Sequence, residues 1–162
     1  MREVPYNRWA AVGYARRWAL DRNPAYYDFQ TIGGDCTNFA SQCIYAGSGI
    51  MNYTPVTGWY YHSASDRTAS WTDTEYLHTF LTNNHSAGPF AHRVSRDQIQ
   101  PGDIVQLGDQ NGRFYHTPVI TAVIPAILVA AHSYDVLDVP LSSYTYHTAR
   151  FLHIDGVRKW LR

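Results

Sequence analysis

Two residue types in this chain could supply the nucleophile and the base of an acyl-transfer site, namely cysteine and histidine. Cys36 follows Gly33-Gly34-Asp35 and opens the segment CTNFASQCIYA, in which small and apolar residues recur at helical spacing. Asp35 is a good N-cap, and the two glycines allow a sharp bend before it, so we predict that Cys36 lies in the first helical turn. There the macrodipole and the unpaired amides favour a thiolate and lower the thiol pKa below its ordinary value of about 8.5.

The first-turn amides could also stabilise the oxyanion that forms when a thiolate attacks a carbonyl carbon. Gln30 lies shortly before Cys36 and could donate a further hydrogen bond to that oxyanion. Cys43 differs, because it lies ~10.5 Å farther along the predicted helix, too far from Cys36 for a disulfide without unwinding. We predict that Cys43 packs in the core.

A cysteine nucleophile needs a general base, and the chain has 8 histidines. His116 and His132 lie on two predicted strands that are joined around Ile124-Pro125. If the numbers of opposed residues add up to an even sum, for instance 248 or 250, His116 and His132 share a face and could touch. If a two-residue turn at Pro125-Ala126 makes that sum 251, Asp135 faces His116 instead and would be the orienting acid. The sequence leaves both registers open.

Aromatic side chains could line the cleft around these groups, since Phe, Trp and Tyr make up 15% of the chain and such rings stack on sugars and peptides. The cluster Trp59-Tyr60-Tyr61 lies in a segment from 47 to 69 whose Gly, Asn, Pro and Ser content predicts a long loop. The predicted substrate-binding residues are Asp35, Gln30, Trp59, Tyr60 and Trp71.

The same residues also bear on the presence of a metal or cofactor site. A zinc site formed by Cys36, His116 and His132 would lack the closely spaced ligand pair that anchors such sites. Gly33-Gly34 lacks the further spacing and the lysine of a phosphate-binding loop. We therefore predict no metal ion and no cofactor.

The elements that must position these residues are helices first and strands afterwards. Residues 6 to 22 predict a helix, with Trp9 and Leu20 among its apolar positions, and WTDTEYLHTFLTNN predicts another, capped by Ser70. This order is typical of the α+β class, with N-terminal helices packed on a mostly antiparallel sheet. Strands are predicted at residues 104–107, 114–123, 127–133 and 150–154.

Composition restricts the class of protein further. The 162 residues predict one compact domain, 1–162, and the balance of 13 Lys+Arg against 13 Asp+Glu argues against a nucleic-acid partner. The longest apolar run, Val119–Ala131, is too short to span a membrane. The N-terminus has no apolar signal-peptide segment, so we expect either a cytoplasmic protein or a piece of an exported, extracellular or wall-associated one. The sequence does not indicate the oligomeric state.

The most specific segment, GGDCTNFASQCIYAG, resembles the putative amidase domain of bacterial, often Gram-positive, proteins. The resemblance runs from Tyr6 to His153 and includes YNRWAAVGYARRWALDRNPAYYDF, MN, WYY, SWT and HTPVIT. It implies the fold of the papain-like cysteine hydrolases, which are related to cell-wall cysteine peptidases. It also implies Cys36 as nucleophile, His116 as base and His132 as the third polar residue. Pro118 departs from the pattern, since a strand residue with an amide would be ordinary there.

Three functions follow from these observations. The first is a cysteine-dependent hydrolase of an amide bond in peptidoglycan peptides or another peptide or amide substrate, acting through a Cys-His acyl-enzyme. The second is a non-catalytic module that binds cell-wall glycan or peptide through its aromatic loop, and its binding would not depend on Cys36. The third is an acyl transferase, in which an amine resolves the acyl-enzyme in place of water.

Overall fold

Residues 1–161 form helices that pack against a large antiparallel sheet, as described by a computed structural model. This architecture confirms the predicted α+β class. The helices are α1 (Arg8–Trp18), α2 (Cys36–Ser48), α3 (Ala69–Thr72) and α4 (Thr74–Asn83). The strands are β1 (Arg2–Val4), β2 (Tyr61–Ser63), β3 (Asp66–Arg67), β4 (Gly88–Val94), β5 (Ile104–Gly108), β6 (Phe114–His116), β7 (Val119–Ala122), β8 (Leu128–Ala131), β9 (Val136–Pro140) and β10 (Thr148–Lys159).

The main sheet has the strand order β1-β10-β5-β7-β8-β9, with β4 paired to β10 and β6 paired to β5. Strand β10 is the longest, at 12 residues, and pairs with β1, β4 and β5. Strands β2 and β3 form a small separate hairpin. In the described chain, no helix is long and apolar enough to cross a membrane.

The first helix is shorter than predicted. It begins after Asn7, whose side chain accepts a hydrogen bond of 3.0 Å from the Ala10 amide, and it ends at Trp18. Trp9 and Leu20, placed at apolar positions of the predicted helix, are instead exposed. The packed side of α1 is made by smaller residues, Ala11, Val12 and Ala15, which let the helix lie close to its neighbour α2.

The predicted third helix is divided into α3 and α4. The division occurs at Asp73, whose extended backbone interrupts the helix and whose carboxylate caps α4 by accepting from the Tyr76 amide at 3.0 Å. The predicted strand 114–123 is divided in the same way, at Thr117-Pro118, because proline has no amide for the ladder. The predicted loop 47–69 contains the β2–β3 hairpin.

The sheet separates two clusters of buried apolar side chains. The helices cover one face, where Ile104, Val119 and Leu152 pack against Phe39 and other helical residues. The opposite face packs Val105, Leu107, Ile120, Val129 and Phe151 against a short turn at Leu141–Ser143. Residues adjacent in sequence thus alternate between the faces, as strand geometry requires.

Candidate active site

Helix α2 begins at a turn that fixes the position of Cys36. Gly33 and Gly34 adopt φ values of 83° and 95°, a left-handed conformation that glycine adopts readily. A Cβ on Gly34 would come within 3.2 Å of Ser133 Oγ, and that oxygen also accepts a hydrogen bond of 3.0 Å from the Asp35 amide. The turn before the helix is therefore fastened to the β8–β9 turn, and Cys36 is the first residue of α2, as predicted.

The Cys36 thiol lies beside the backbone around His116. Its Sγ is 3.9 Å from the Tyr115 carbonyl oxygen and 3.8 Å from Thr37 Oγ1. The backbone amides of Thr37 and Thr117 lie close enough to the sulfur to lower the pKa of the thiol. Residues on both sides of His116 thus contact the thiol, which makes Cys36 and His116 neighbours.

The charge state of Cys36 differs from the one predicted. Cys36 is 9% exposed. Burial raises the pKa of its thiol, although the backbone amides of Thr37 and Thr117 act to lower it. Loss of hydration therefore outweighs the helix terminus. The prediction that position alone would lower the thiol pKa was wrong.

His116 ends β6, opposite Leu107 of β5, and is 7% exposed. Burial lowers the pKa of its imidazole to about 4, so the ring is neutral at neutral pH. Among the described residues, no hydrogen bond joins the ring to the Cys36 thiol or to any other group. The ring packs against that of Tyr144, with centroids 5.4 Å apart. The resting site is thus a neutral thiol beside a neutral imidazole.

A buried polar cluster that the sequence did not reveal holds this arrangement together. Thr37 Oγ1 lies 3.1 Å from both Thr74 Oγ1 and Thr117 Oγ1, and so connects α2, α4 and the segment after His116. Gln106 donates to Thr117 Oγ1 at 3.3 Å and to the Thr74 carbonyl at 2.9 Å. A glutamine in the centre of the apolar strand IVQLG is the one signal that could have predicted the cluster.

His132 does not orient His116. Its Nδ1 lies 2.5 Å from Asp35 Oδ2, its Nε2 lies 2.8 Å from the Trp18 carbonyl oxygen, and its ring stacks on Phe39. Because both ring nitrogens already have oxygen partners, neither is available to His116. The role predicted for His132 is corrected by this geometry. The residue instead supports the turn before α2 through Asp35.

Asp135, the alternative acid, is also directed elsewhere. Its carboxylate pairs with Arg22, through distances of 2.8 Å to Nη1 and 3.1 Å to Nη2. The register explains why both candidates fail. His116 lies in β6, which pairs with β5 and not with β8. In the β7–β8 pair, Val119 faces Ala130, a sum of 249, and after a register shift Ala122 faces Leu128, a sum of 250. Neither of the two predicted registers occurs along the whole strand pair.

Asp35 is the N-cap residue by position, yet its side chain does not cap the helix amides. Its Oδ1 accepts from the Phe29 amide at 2.8 Å and from Asn38 Nδ2 at 2.9 Å, and its Oδ2 faces His132. These partners leave the carboxylate 1% exposed. Asp35 therefore connects α2 to the preceding loop and to β8, and its predicted contact with substrate is not compatible with this burial.

Two of the predicted cleft aromatics are core residues. Trp59 and Trp71 are fully buried, and their indole N–H groups donate to Ser41 Oγ at 3.1 Å and to Asn38 Oδ1 at 3.0 Å. Indole rings that lie inside the core with their N–H groups already hydrogen-bonded cannot form the wall of a cleft. The prediction of these two residues as substrate-binding was wrong.

Tyr60 and Gln30 remain accessible. Tyr60 is half-buried and packs in a ring cluster with Tyr53 and His62. Gln30 is exposed, and its backbone N–H donates to Asp28 Oδ1 at 3.0 Å. Their predicted roles toward a substrate stay predictions. Within residues 1–161, no group of three or more His, Cys, Asp or Glu side chains is arranged to hold a metal ion.

Alkylation of Cys36 should reflect its burial. A raised pKa moves thiolate formation to higher pH, so we expect iodoacetamide to label Cys36 slowly at pH 7 and faster only above the free-thiol value of about 8.5. Mass spectrometry of the labelled peptides measures the rate at each pH. Cys43, which is fully buried with a pKa well above the usual range, is the internal control and should stay unlabelled. Rapid labelling of Cys36 at pH 5 to 6 would contradict the neutral resting pair.

Comparison with known proteins places this site in a wider group. A family model described as "Putative amidase domain" matches residues 5–154. "Uncharacterized protein YhbB" of Bacillus subtilis (strain 168) is 37% identical over 142 residues. That alignment covers 83% of this chain and 43% of the relative, so the chain spans less than half of the relative's length. No solved structure matches the chain.

Proposed function

Since this chain belongs to the putative amidase domain family, we propose that it hydrolyses amide bonds with Cys36 as nucleophile and His116 as general base. One observation carries the proposal. Cys36 is the first residue of a helix, and its thiol is contacted by the backbone on both sides of a neutral, buried histidine. Such a pair is able to form an acyl-enzyme.

The reaction begins with transfer of the thiol proton to the imidazole as Cys36 Sγ bonds to the amide carbonyl carbon. His116 has a lone pair free to accept that proton, because with a pKa of about 4 its imidazole is neutral at neutral pH. The amide of Cys36, at the start of α2, donates to the oxyanion. His116 then returns the proton to the leaving nitrogen as the C–N bond breaks, which leaves a thioester.

Hydrolysis of the thioester repeats these steps with water. His116 takes a proton from water as its oxygen bonds to the acyl carbon, and the C–S bond then breaks to give a carboxylic acid. The proton returns to the Cys36 sulfur, so the site is restored. Burial raises the free energy of the Cys36 thiolate and of the His116 imidazolium. The proton therefore moves during the attack on the carbonyl carbon rather than before it.

We also propose that the fold is papain-like. In support, a helix with the nucleophile at its N-terminus packs on an antiparallel sheet that carries the base. We propose peptidoglycan peptides as the substrate class. This choice rests on the resemblance of GGDCTNFASQC to a family related to cell-wall peptidases. The whole protein from which such a domain comes could restrict the substrate further.

The proposal is tested by incubating the protein with purified Gram-positive peptidoglycan and with its stem and cross-link peptides. We expect new primary amines, and products whose masses sum to the substrate plus one water. Protein alkylated at Cys36 beforehand, at high pH, should release none, whereas a Cys43→Ala variant should match the parent. Undiminished release by the alkylated protein would overturn the cysteine mechanism. Saturable binding without release would instead indicate the non-catalytic binding module.

A further inference from the structure

Two buried polar atoms beside the nucleophile have no hydrogen-bond partner. They are Nε2 of His116 and Oη of Tyr144, whose rings pack with centroids 5.4 Å apart and planes inclined by 43°. Buried polar groups are almost always hydrogen-bonded, because a group without a partner has lost its bonds to water and gained none in the protein. Two such atoms in adjacent rings are therefore a feature that requires an explanation.

The two atoms are chemically complementary. An imidazole that carries its proton on Nε2 is a donor there, and a phenol oxygen can accept. The other ring nitrogen of His116, Nδ1, is not among the enclosed unpaired atoms and makes no hydrogen bond within residues 1–161, so it is the less enclosed of the two nitrogens. Tyr144 therefore packs against a ring whose Nε2 is enclosed and whose Nδ1 is the nitrogen left for chemistry.

Tyr144 is held in place by its backbone. It follows the short turn Leu141–Ser143 on the face of the sheet opposite the helices, and its amide donates to the Leu141 carbonyl at 3.1 Å. Burial, together with the negative charge that Cys36 would carry as a thiolate, raises the pKa of its hydroxyl. The phenol is therefore neutral at physiological pH and lies within electrostatic range of the sulfur.

We propose that Tyr144 is the positioning residue of this site, accepting a hydrogen bond from Nε2–H of His116 so that Nδ1 stays unprotonated toward Cys36. The proposal rests on the proposed function. Neither atom has another hydrogen-bond partner among the described residues, and the proposed bond strengthens when the imidazole becomes positive during attack. The other two candidates for this role, His132 and Asp135, are bound to Asp35 and Arg22.

The test compares Tyr144→Phe with Tyr146→Phe. Tyr144→Phe removes one oxygen and keeps the ring that packs on His116. Tyr146 is the matched control, because its hydroxyl accepts from Arg96 on the surface at 3.0 Å. In the ¹⁵N-histidine-labelled parent at pH 7, we expect the His116 Nε2–H proton at the downfield position typical of a hydrogen bond. It should move upfield and exchange faster in Tyr144→Phe, and should be unchanged in Tyr146→Phe.

This resonance needs no substrate, so it separates the proposal from the proposed function. If the parent cleaves no amide and the resonance still responds to Tyr144→Phe, the positioning bond stands and the assigned reaction fails. If the His116 resonance is the same in Tyr144→Phe and in the parent, or if the parent proton sits on Nδ1, the positioning role is overturned.

Kinetics give a second readout when the parent is active. Loss of a hydrogen bond to a charged imidazole corresponds to about a 10-fold to 100-fold fall in kcat for Tyr144→Phe. KM should stay within about twofold of the parent value, because Tyr144 acts through His116 and does not touch the substrate. A raised KM with an unchanged kcat would contradict the proposal, since it would place the hydroxyl against the substrate.

Discussion

Cys36→Ala should lower amide hydrolysis by at least about 10⁴-fold, to the level of the buffer, because no other side chain at this site can form the acyl bond. Alanine fits the first turn of α2 and removes only the sulfur, so the variant should unfold at nearly the same urea concentration as the parent. The fall in hydrolysis is measured as the release of amines under the conditions of the peptidoglycan assay. Cys43→Ala is the matched control, since Cys43 lies on the same helix with its side chain in the core.

His116→Ala should lower kcat by about 10²-fold to 10⁴-fold, the range expected for loss of a general base. The double variant with Cys36→Ala should be no slower than Cys36→Ala alone, because the two residues act in one step. In the parent, kcat/KM should fall as the pH drops through about 4, since a protonated imidazole cannot accept the thiol proton. Additive effects of the two substitutions, or an acid limb near pH 6.5, would contradict a buried Cys36–His116 pair.

His132→Ala should lower the free energy of unfolding by about 1 to 3 kcal/mol, because buried Asp35 Oδ2 loses its hydrogen-bond partner at 2.5 Å and keeps only Arg22 Nε at 3.7 Å. Urea denaturation of the parent and the variant measures the difference. His92→Ala is a matched control: His92 Nδ1 lies 2.8 Å from Asp155 Oδ2, but this pair is on the surface. We expect a change below about 1 kcal/mol for the control. Equal effects of the two substitutions would show that burial of the Asp35–His132 pair contributes little.

The start of α2 could be predicted from the sequence because its signals are local. Two glycines, an N-cap residue and a helical pattern lie side by side around Cys36, and each reports a backbone preference of the same turn. The α+β class followed from the order of periodic segments. The pairing of Cys36 with His116 remains a prediction that the assays above address.

The partners of the buried polar residues could not be predicted, because they depend on contacts between distant elements. His132 and Asp35 are 97 residues apart in the sequence, and periodicity does not report which distant residue a strand histidine will face. The burial of Trp71 involves a hydrogen bond from its indole N–H to Asn38, a residue of another helix. Tyr144 lies outside every regular element, so no periodic pattern draws attention to it.

Helix α2 has eleven of its thirteen residues buried, which makes it part of the least mobile region of the molecule. Native proteins open locally in segments that have few buried contacts, and a buried central helix is released only when most of the structure unfolds. The nucleophile is therefore carried by a rigid scaffold, and adaptation to different substrates is left to accessible segments. Ser133-Tyr134 is such a segment, since Tyr134 is 93% exposed and the turn is joined to the helix start through Ser133 Oγ. Substitutions of the exposed Tyr134 side chain could diversify specificity in evolution without loss of the fold, whereas changes of Ser133, whose Oγ holds the helix start, or within α2 would be selected against first.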